Sequence, residues 1–146
     1  MIDTILVVCE GNICRSPMAQ GLLAERLPGV NVISAGCRAL VGRTADPHAI
    51  ELMARRGIDI GSHIASSMSL EHVRTADLVL VMTRMQQKEI ENRYPFSKGR
   101  VYRISSDGSE DVVDPYRRGR SIFEASLAQI EKGLVRWTNE ITRLNK

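Results

Sequence analysis

Residues 5–9 read Ile-Leu-Val-Val-Cys, an unbroken apolar run rich in β-branched residues that stops at Glu10-Gly11-Asn12. No polar residue interrupts it, so neither face of a strand built from it suits water. Such a run belongs in the interior of a parallel sheet covered on both sides. Over 17–27 the apolar spacing changes to three and four residues, through Met18, Leu22, Leu23 and Leu27. That predicts a helix with Ser16 as its N-cap and Pro17 as its first residue. The chain therefore opens as strand, short loop, helix.

The same alternation continues. Residues 30–34 alternate as a second strand closed by Ala35-Gly36. Asp46-Pro47 opens a helix that runs through Ile50, Leu52 and Met53 to about Arg56, with Gly57 as its stop. The run DLVLVM over 77–82 is a third buried strand, followed by a helix over 84–93 and a short fourth strand over 101–104. Residues 105–116 form a polar loop carrying Asp107, Glu110, Asp111 and Asp114. Phe123, Leu127, Ile130, Leu134, Trp137 and Ile141 fall at helical spacing in a closing helix over 123–144. The expected fold class is α/β, a four-stranded parallel sheet flanked by helices on both faces, with residues 1–146 as one domain.

Composition narrows the function. A net charge of +3 is small for a nucleic-acid binder, and the basic residues are scattered except at Arg117, Arg118 and Arg120. No apolar stretch nears the roughly 20 residues that span a bilayer. The N-terminus lacks a basic segment followed by a long apolar one, so no signal peptide is expected. Three cysteines are too few for a disulfide scaffold and fit a reducing cytoplasm.

Ligands of open α/β sheets bind at the carboxyl ends of strands, where Cys9 is expected. The following helix presents free N–H groups and partial positive charge at its N-terminus. The loop Glu10, Gly11, Asn12, Ile13, Cys14 is short enough to fold into an anion nest, and Gly11 and Asn12 tolerate positive φ. Arg15 adds a planar guanidinium suited to two phosphate oxygens. The same field favours a thiolate at Cys9. One loop thus supplies a nucleophile and a dianion cradle, as cleavage of a phosphate ester through phosphocysteine requires. An ATP-type phosphate loop is excluded, because its second glycine and its lysine are missing. A carboxyl group near the leaving oxygen would complete the chemistry, and the loop over 105–116 offers four. Asp114 stands out modestly, with Pro115 to stiffen its approach and Tyr116 to line a pocket.

The run CEGNICRS resembles the signature loop of low-molecular-weight protein tyrosine phosphatases, and Asp114-Pro115-Tyr116 resembles their second motif. With Ser34-Ala35-Gly36 and the chain length, the resemblance covers nearly the whole sequence. The stretches ALVGRTADPHAI (39–50) and DPYRRGR (114–120) are similar to the bacterial capsule and exopolysaccharide phosphatases of the Wzb type. The resemblance implies a Rossmann-like fold and a cytoplasmic, cofactor-free enzyme. It implies Cys9 as nucleophile, Arg15 as phosphate ligand and Asp114 as general acid and then base. Asn12 would hold the loop's shape, partly through Ser34, and Ser16 would donate to the Cys9 thiolate. His63 would support the loop, Leu40 and Tyr116 would wall the pocket, and Cys14 would be an oxidative partner of Cys9. The partner implied is a phosphotyrosine protein, a bacterial tyrosine autokinase controlling polysaccharide export.

No metal-ligand spacing is present, and His48 and His72 are read as structural. Cys37 has no role in this reading. Two rivals stand beside it. An arsenate reductase on the same fold would need two further cysteines downstream, and none follows Cys37. A phosphotyrosine-binding module would need neither Cys9 nor Asp114.

Overall fold

The computed structural model describes residues 1–105 and 110–146. Asp107, one of the four acidic residues of the polar loop, lies outside the described residues. The elements in chain order are β1 (Thr4–Cys9), α1 (Arg15–Arg26), β2 (Asn31–Gly36), α2 (Pro47–Ala54), α3 (Leu70–Thr75), β3 (Leu78–Val81), α4 (Arg84–Arg93), a 3-10 turn (Pro95–Ser97), β4 (Val101–Arg103) and α5 (Arg120–Leu144). The four strands form one parallel sheet in the order β2-β1-β3-β4. This is the expected α/β class.

Ile5, Leu6, Val7 and Val8 are fully buried. Side chains of a strand alternate between faces, and they divide here between two cores. Ile5, Val7 and Cys9 pack with Met18 and Leu23 of α1, Met53 of α2 and Phe123, Leu127 and Ile130 of α5. Leu6 and Val8 pack on the other side with Val73 of α3 and Ile90 of α4. Helices thus cover both faces, which is why the run over 5–9 contains no polar residue. Each such aliphatic side chain contributes about 1.5–3 kcal/mol on burial.

The sheet order places the site. From β1 the chain moves outward to β2, then returns past β1 to β3 and β4. The carboxyl end of β1 is therefore the point where the winding reverses, and a crevice opens there between diverging connections. Cys9 ends β1 at that point.

Several boundaries differ from expectation for physical reasons. Helix α1 begins at Arg15, two residues early, with Cys14 at the N-cap and no side-chain cap. Ser16 is drawn inward to Cys9 and Asn12 instead of capping. Pro17 still fits, because the first four N–H groups of a helix have no intrahelical acceptor. Strand β2 extends through Ala35-Gly36 rather than closing before it, and Gly36 pairs opposite Cys9. Helix α2 stops at Ala54 rather than near Arg56, and Asp46 caps it by accepting from the His48 N–H (2.9 Å). Helix α5 begins at Arg120 instead of Phe123. Helix α3 was not expected: six residues are too few to show a period, and its sign is the Ser69–His72 capping box.

Two glycines are required by close approach. A Cβ on Gly36 would lie 2.7 Å from the Glu10 carbonyl oxygen. A Cβ on Gly133 would lie 2.1 Å from the Ile104 carbonyl oxygen, so α5 rests directly on the chain leaving β4. Gly133→Ala is expected to destabilise the fold by roughly 1–3 kcal/mol, as overpacked interiors do. Gly29→Ala, where nothing lies within 4 Å, is the control and should leave the urea midpoint unchanged.

Candidate active site

Loop 9–15 is built by turning its carbonyls away from its own interior. The Cys9 carbonyl accepts from the Cys37 N–H (3.0 Å), Glu10 from Arg38 (2.9 Å), Gly11 from Leu40 (3.0 Å) and Ile13 from Asp46 (2.8 Å). The Asn12 carbonyl, 2.7 Å from His63 Nε2, cannot donate, so that ring nitrogen carries the proton. Five consecutive carbonyls thus face the surrounding shell, which leaves the N–H side of the loop for the cup. The Asn12 N–H donates to Cys9 Sγ (3.2 Å). The N–H groups of Gly11, Ile13 and Cys14 donate to no other described residue. The bend needs one left-handed residue, and Asn12 takes it with φ 59. Asn tolerates that region better than other residues with a side chain. Gly11 does not use its freedom for positive φ; a Cβ there would stand 3.7 Å from Leu40.

Behind the loop lies a buried polar chain. Asn12 Nδ2 donates to Ser16 Oγ (2.7 Å) and to Ser34 Oγ (3.1 Å), and Oδ1 accepts from the Ser66 N–H (2.9 Å). Ser16 Oγ is 2.9 Å from Cys9 Sγ. Because Ser16 Oγ already accepts from Asn12, its own proton is free to point at sulfur, and it becomes a donor to a thiolate. Ser34 Oγ donates a hydrogen bond to Gln20 Oε1 (2.7 Å), and Gln20 Nε2 donates to the Val32 carbonyl (3.0 Å). Every polar atom in this chain has a partner, as a buried network requires.

Arg15, 3% exposed, reaches across to the segment after β4. Its Nη1 donates to the Val112 carbonyl (2.9 Å), and its Nη2 is 3.5 Å from Asp114 Oδ2. Backbone bonds fix that segment: the Val112 N–H donates to the Met82 carbonyl (2.9 Å) and the Val113 N–H to Gln129 of α5 (2.8 Å). Asp114 Oδ1 also accepts from the Tyr116 N–H (3.1 Å), a local turn that aims the carboxylate. The carboxylate stays half exposed, at 51%.

One cavity of about 130 Å³ collects most of the residues named from sequence. Cys9, Glu10, Gly11, Ile13, Cys14 and Arg15 come from the loop, Leu40 from the β2–α2 connection, and Asp114 and Tyr116 from the segment before α5. Asn12, Ser16, Ser34 and His63 do not line it; they are the supports behind it. Of the described acidic residues in the polar loop, Asp114 alone lines this cavity. Asp111 is occupied by the Arg84 N–H and Arg103 Nη1, each at 2.9 Å. The remaining histidines are placed as structural: His72 completes the α3 capping box and His48 lies 5.1 Å from the Phe123 ring.

Cys14 faces the same cavity as Cys9. Burial first, then the nearby Asp46 carboxylate, push its thiol up, so it is uncharged at neutral pH and does not repel an anion. Cys37 packs against the opposite core and is pushed up to about 12 by burial and by Glu89 and Glu10. Sequence reasoning missed Gln20, Ser66 and Arg38. Arg38 lines the cavity mouth and pairs with Glu10 and with Glu89 of α4 (2.9 Å). Nothing local to these residues signals their part, since each partner is distant in the chain.

Among the described residues no three His, Cys, Asp or Glu side chains converge as a metal site, and no helix is long and apolar enough to cross a membrane. The family model described as "Low molecular weight phosphotyrosine protein phosphatase" matches residues 4–146. The chain is 51% identical over 144 residues to the probable low molecular weight protein-tyrosine-phosphatase EpsP of Ralstonia nicotianae, covering 99% of both chains. The solved structure of the tyrosine phosphatase Wzb from Escherichia coli, in complex with sulphate, superposes with a TM-score of 0.91 at 33% identity, covering 97% of this chain and 99% of that one. The YwlE arginine phosphatase from Geobacillus stearothermophilus superposes with a TM-score of 0.90 at 34% identity, covering 97% and 94%. A thiol at the floor of an amide-lined loop, a buried arginine at its side and a sequence match along nearly the full chain place this protein in the low-molecular-weight protein tyrosine phosphatase family.

Proposed function

We propose that the chain hydrolyses protein phosphotyrosine through a phosphocysteine on Cys9. The observation that carries this reading is the convergence of Cys9, Arg15 and Asp114 on one cavity beneath a loop whose carbonyls all face outward. Cys9 thiolate attacks phosphorus, the S–P bond forms and the P–O bond to the tyrosyl ring breaks. Asp114 gives its proton to the departing phenolate oxygen, which is a poor leaving group without it. Water then attacks phosphocysteine, Asp114 takes a proton from that water, and phosphate leaves as the Cys9 thiolate is restored. The inward amides and Arg15 hold the equatorial oxygens, where negative charge is concentrated in both steps. Ser16, oriented by Asn12, stabilises the thiolate when it enters and leaves the cycle.

The similarity to an arginine phosphatase leaves the leaving group open on fold alone. Ile13, Leu40 and Tyr116 give the cavity apolar and aromatic walls, which suit a phenyl ring better than a charged guanidinium. The physiological substrate in this reading is a tyrosine autokinase of bacterial polysaccharide export, met in the cytoplasm. Support for that comes from the likeness to EpsP and Wzb.

Cys9→Ser is expected to reduce p-nitrophenyl phosphate hydrolysis to background while circular dichroism and thermal unfolding stay close to wild type. Full activity in that variant sinks the mechanism. Asp114→Asn should lower kcat on a phosphotyrosyl peptide by roughly 10²–10⁴, with a smaller loss on p-nitrophenyl phosphate, whose leaving group needs less protonation. Asn12→Ala should cost about 1–3 kcal/mol of stability through its unpaired neighbours and should lower kcat, as read by urea unfolding and steady-state kinetics. A phosphoarginine peptide turned over as fast as the phosphotyrosyl one overturns the choice of substrate.

A further inference from the structure

We propose that Arg117 and Arg118 recognise an acidic side chain beside the phosphotyrosine of a protein substrate, and that Arg120 takes no part; this rests on the phosphotyrosine reading above. In the sequence the three arginines form one basic cluster, and the structure separates them. Arg120 turns away from the cavity: its Nη1 donates to Glu51 of α2 (2.5 Å) and its Nε to Glu124 (3.0 Å), which ties α2 to α5. Its charge is already compensated.

Arg117 and Arg118 are exposed and pair with no carboxylate among the described residues. They follow Tyr116, which lines the cavity, while neither arginine lines it itself. The nearest acidic residue in the chain, Asp114, is engaged by Arg15. The Arg117 guanidinium lies 5.1 Å from the centroid of the Tyr116 ring, against the pocket wall. The backbone is committed to this arrangement. Arg117 has φ 61, a left-handed conformation that glycine or asparagine adopts at lower cost, within a turn closed by the Arg118 N–H on the Pro115 carbonyl (2.9 Å). An arginine kept in a glycine-favouring conformation at the edge of a site points to use of its side chain. Arg38, which also lines the cavity, is held by Glu10 and Glu89. Arg117 and Arg118 thus put uncompensated positive charge beside Tyr116, where an acidic residue flanking the phosphotyrosine would meet it.

The test compares kcat/KM for two phosphotyrosyl peptides, one flanked by Asp and Glu and one by Lys. Exposed charge pairs are individually weak, so the wild type should favour the acidic peptide by about tenfold at low ionic strength. That ratio should fall toward one in about 0.5 M salt. The Arg117→Gln/Arg118→Gln double variant should bring it within about twofold of unity, Arg117→Lys/Arg118→Lys should restore most of it, and Arg120→Gln should keep it while lowering Tm. An unchanged ratio in the double glutamine variant, or no preference in the wild type, overturns the proposal. If p-nitrophenyl phosphate is hydrolysed but neither peptide is, the phosphotyrosine reading fails and the proposal falls with it.

Discussion

The outward orientation of five successive carbonyls, from Cys9 to Ile13, is the constraint on which the rest of the site depends. A peptide unit cannot present its N–H and its C=O to the same side. Turning each carbonyl out is therefore what turns the amides in. The donors that hold them come from the residues leaving β2, from the cap of α2 and from His63, so the cup's shape is imposed from several parts of the chain at once. Register matters as much as partners. Gly36 sits opposite Cys9 and close to the Glu10 carbonyl, where any Cβ would displace it.

Arg15 links this cup to Asp114. Its guanidinium is buried, and its bonds to the Val112 carbonyl and toward Asp114 join the β1–α1 loop to a segment nearly a hundred residues later. That segment in turn hangs on Met82, the residue after β3, and on α5 through Gln129. The contact of Gly133 with the chain leaving β4 sets how close α5 comes. Fold stability and the geometry of the site are coupled here: a shift of α5 moves Asp114 relative to Cys9.

The parts of this structure that were legible in sequence are those written locally. The apolar run over 5–9 announced a strand buried on both faces, and its alternation with helical spacing announced the parallel sheet. Cys9, Asn12 and Arg15 were legible as a thiol at the end of a buried strand, a residue that tolerates positive φ and a guanidinium within one short loop, whereas the positive φ that Gly11 would allow is not used. Asp114 was only modestly favoured on physical grounds among four acidic residues, since the choice depends on which one Arg15 and the backbone of 112–113 bring to the cavity. The start of α1 was misplaced because Ser16 looks like a cap when its partners Cys9 and Asn12 are ignored. Gln20, Ser66 and Arg38 were invisible for the same reason, as each acts on a residue far away in the chain. The three arginines after Tyr116 looked alike in sequence and separate only when Glu51 and Glu124 are seen to neutralise Arg120.

The central claim is that Cys9 carries the phosphoryl group between its two transfers. Its most direct test is a denaturing quench of the Asp114→Asn protein during turnover of p-nitrophenyl phosphate, whose leaving group departs with little help from the acid so that hydrolysis of phosphocysteine limits turnover, followed by mass spectrometry of the tryptic fragment 1–15, which contains both Cys9 and Cys14. The account predicts one phosphoryl group in that fragment, attached to Cys9. Phosphate released during turnover with no phosphorylated fragment, or with the group on Cys14, would contradict it.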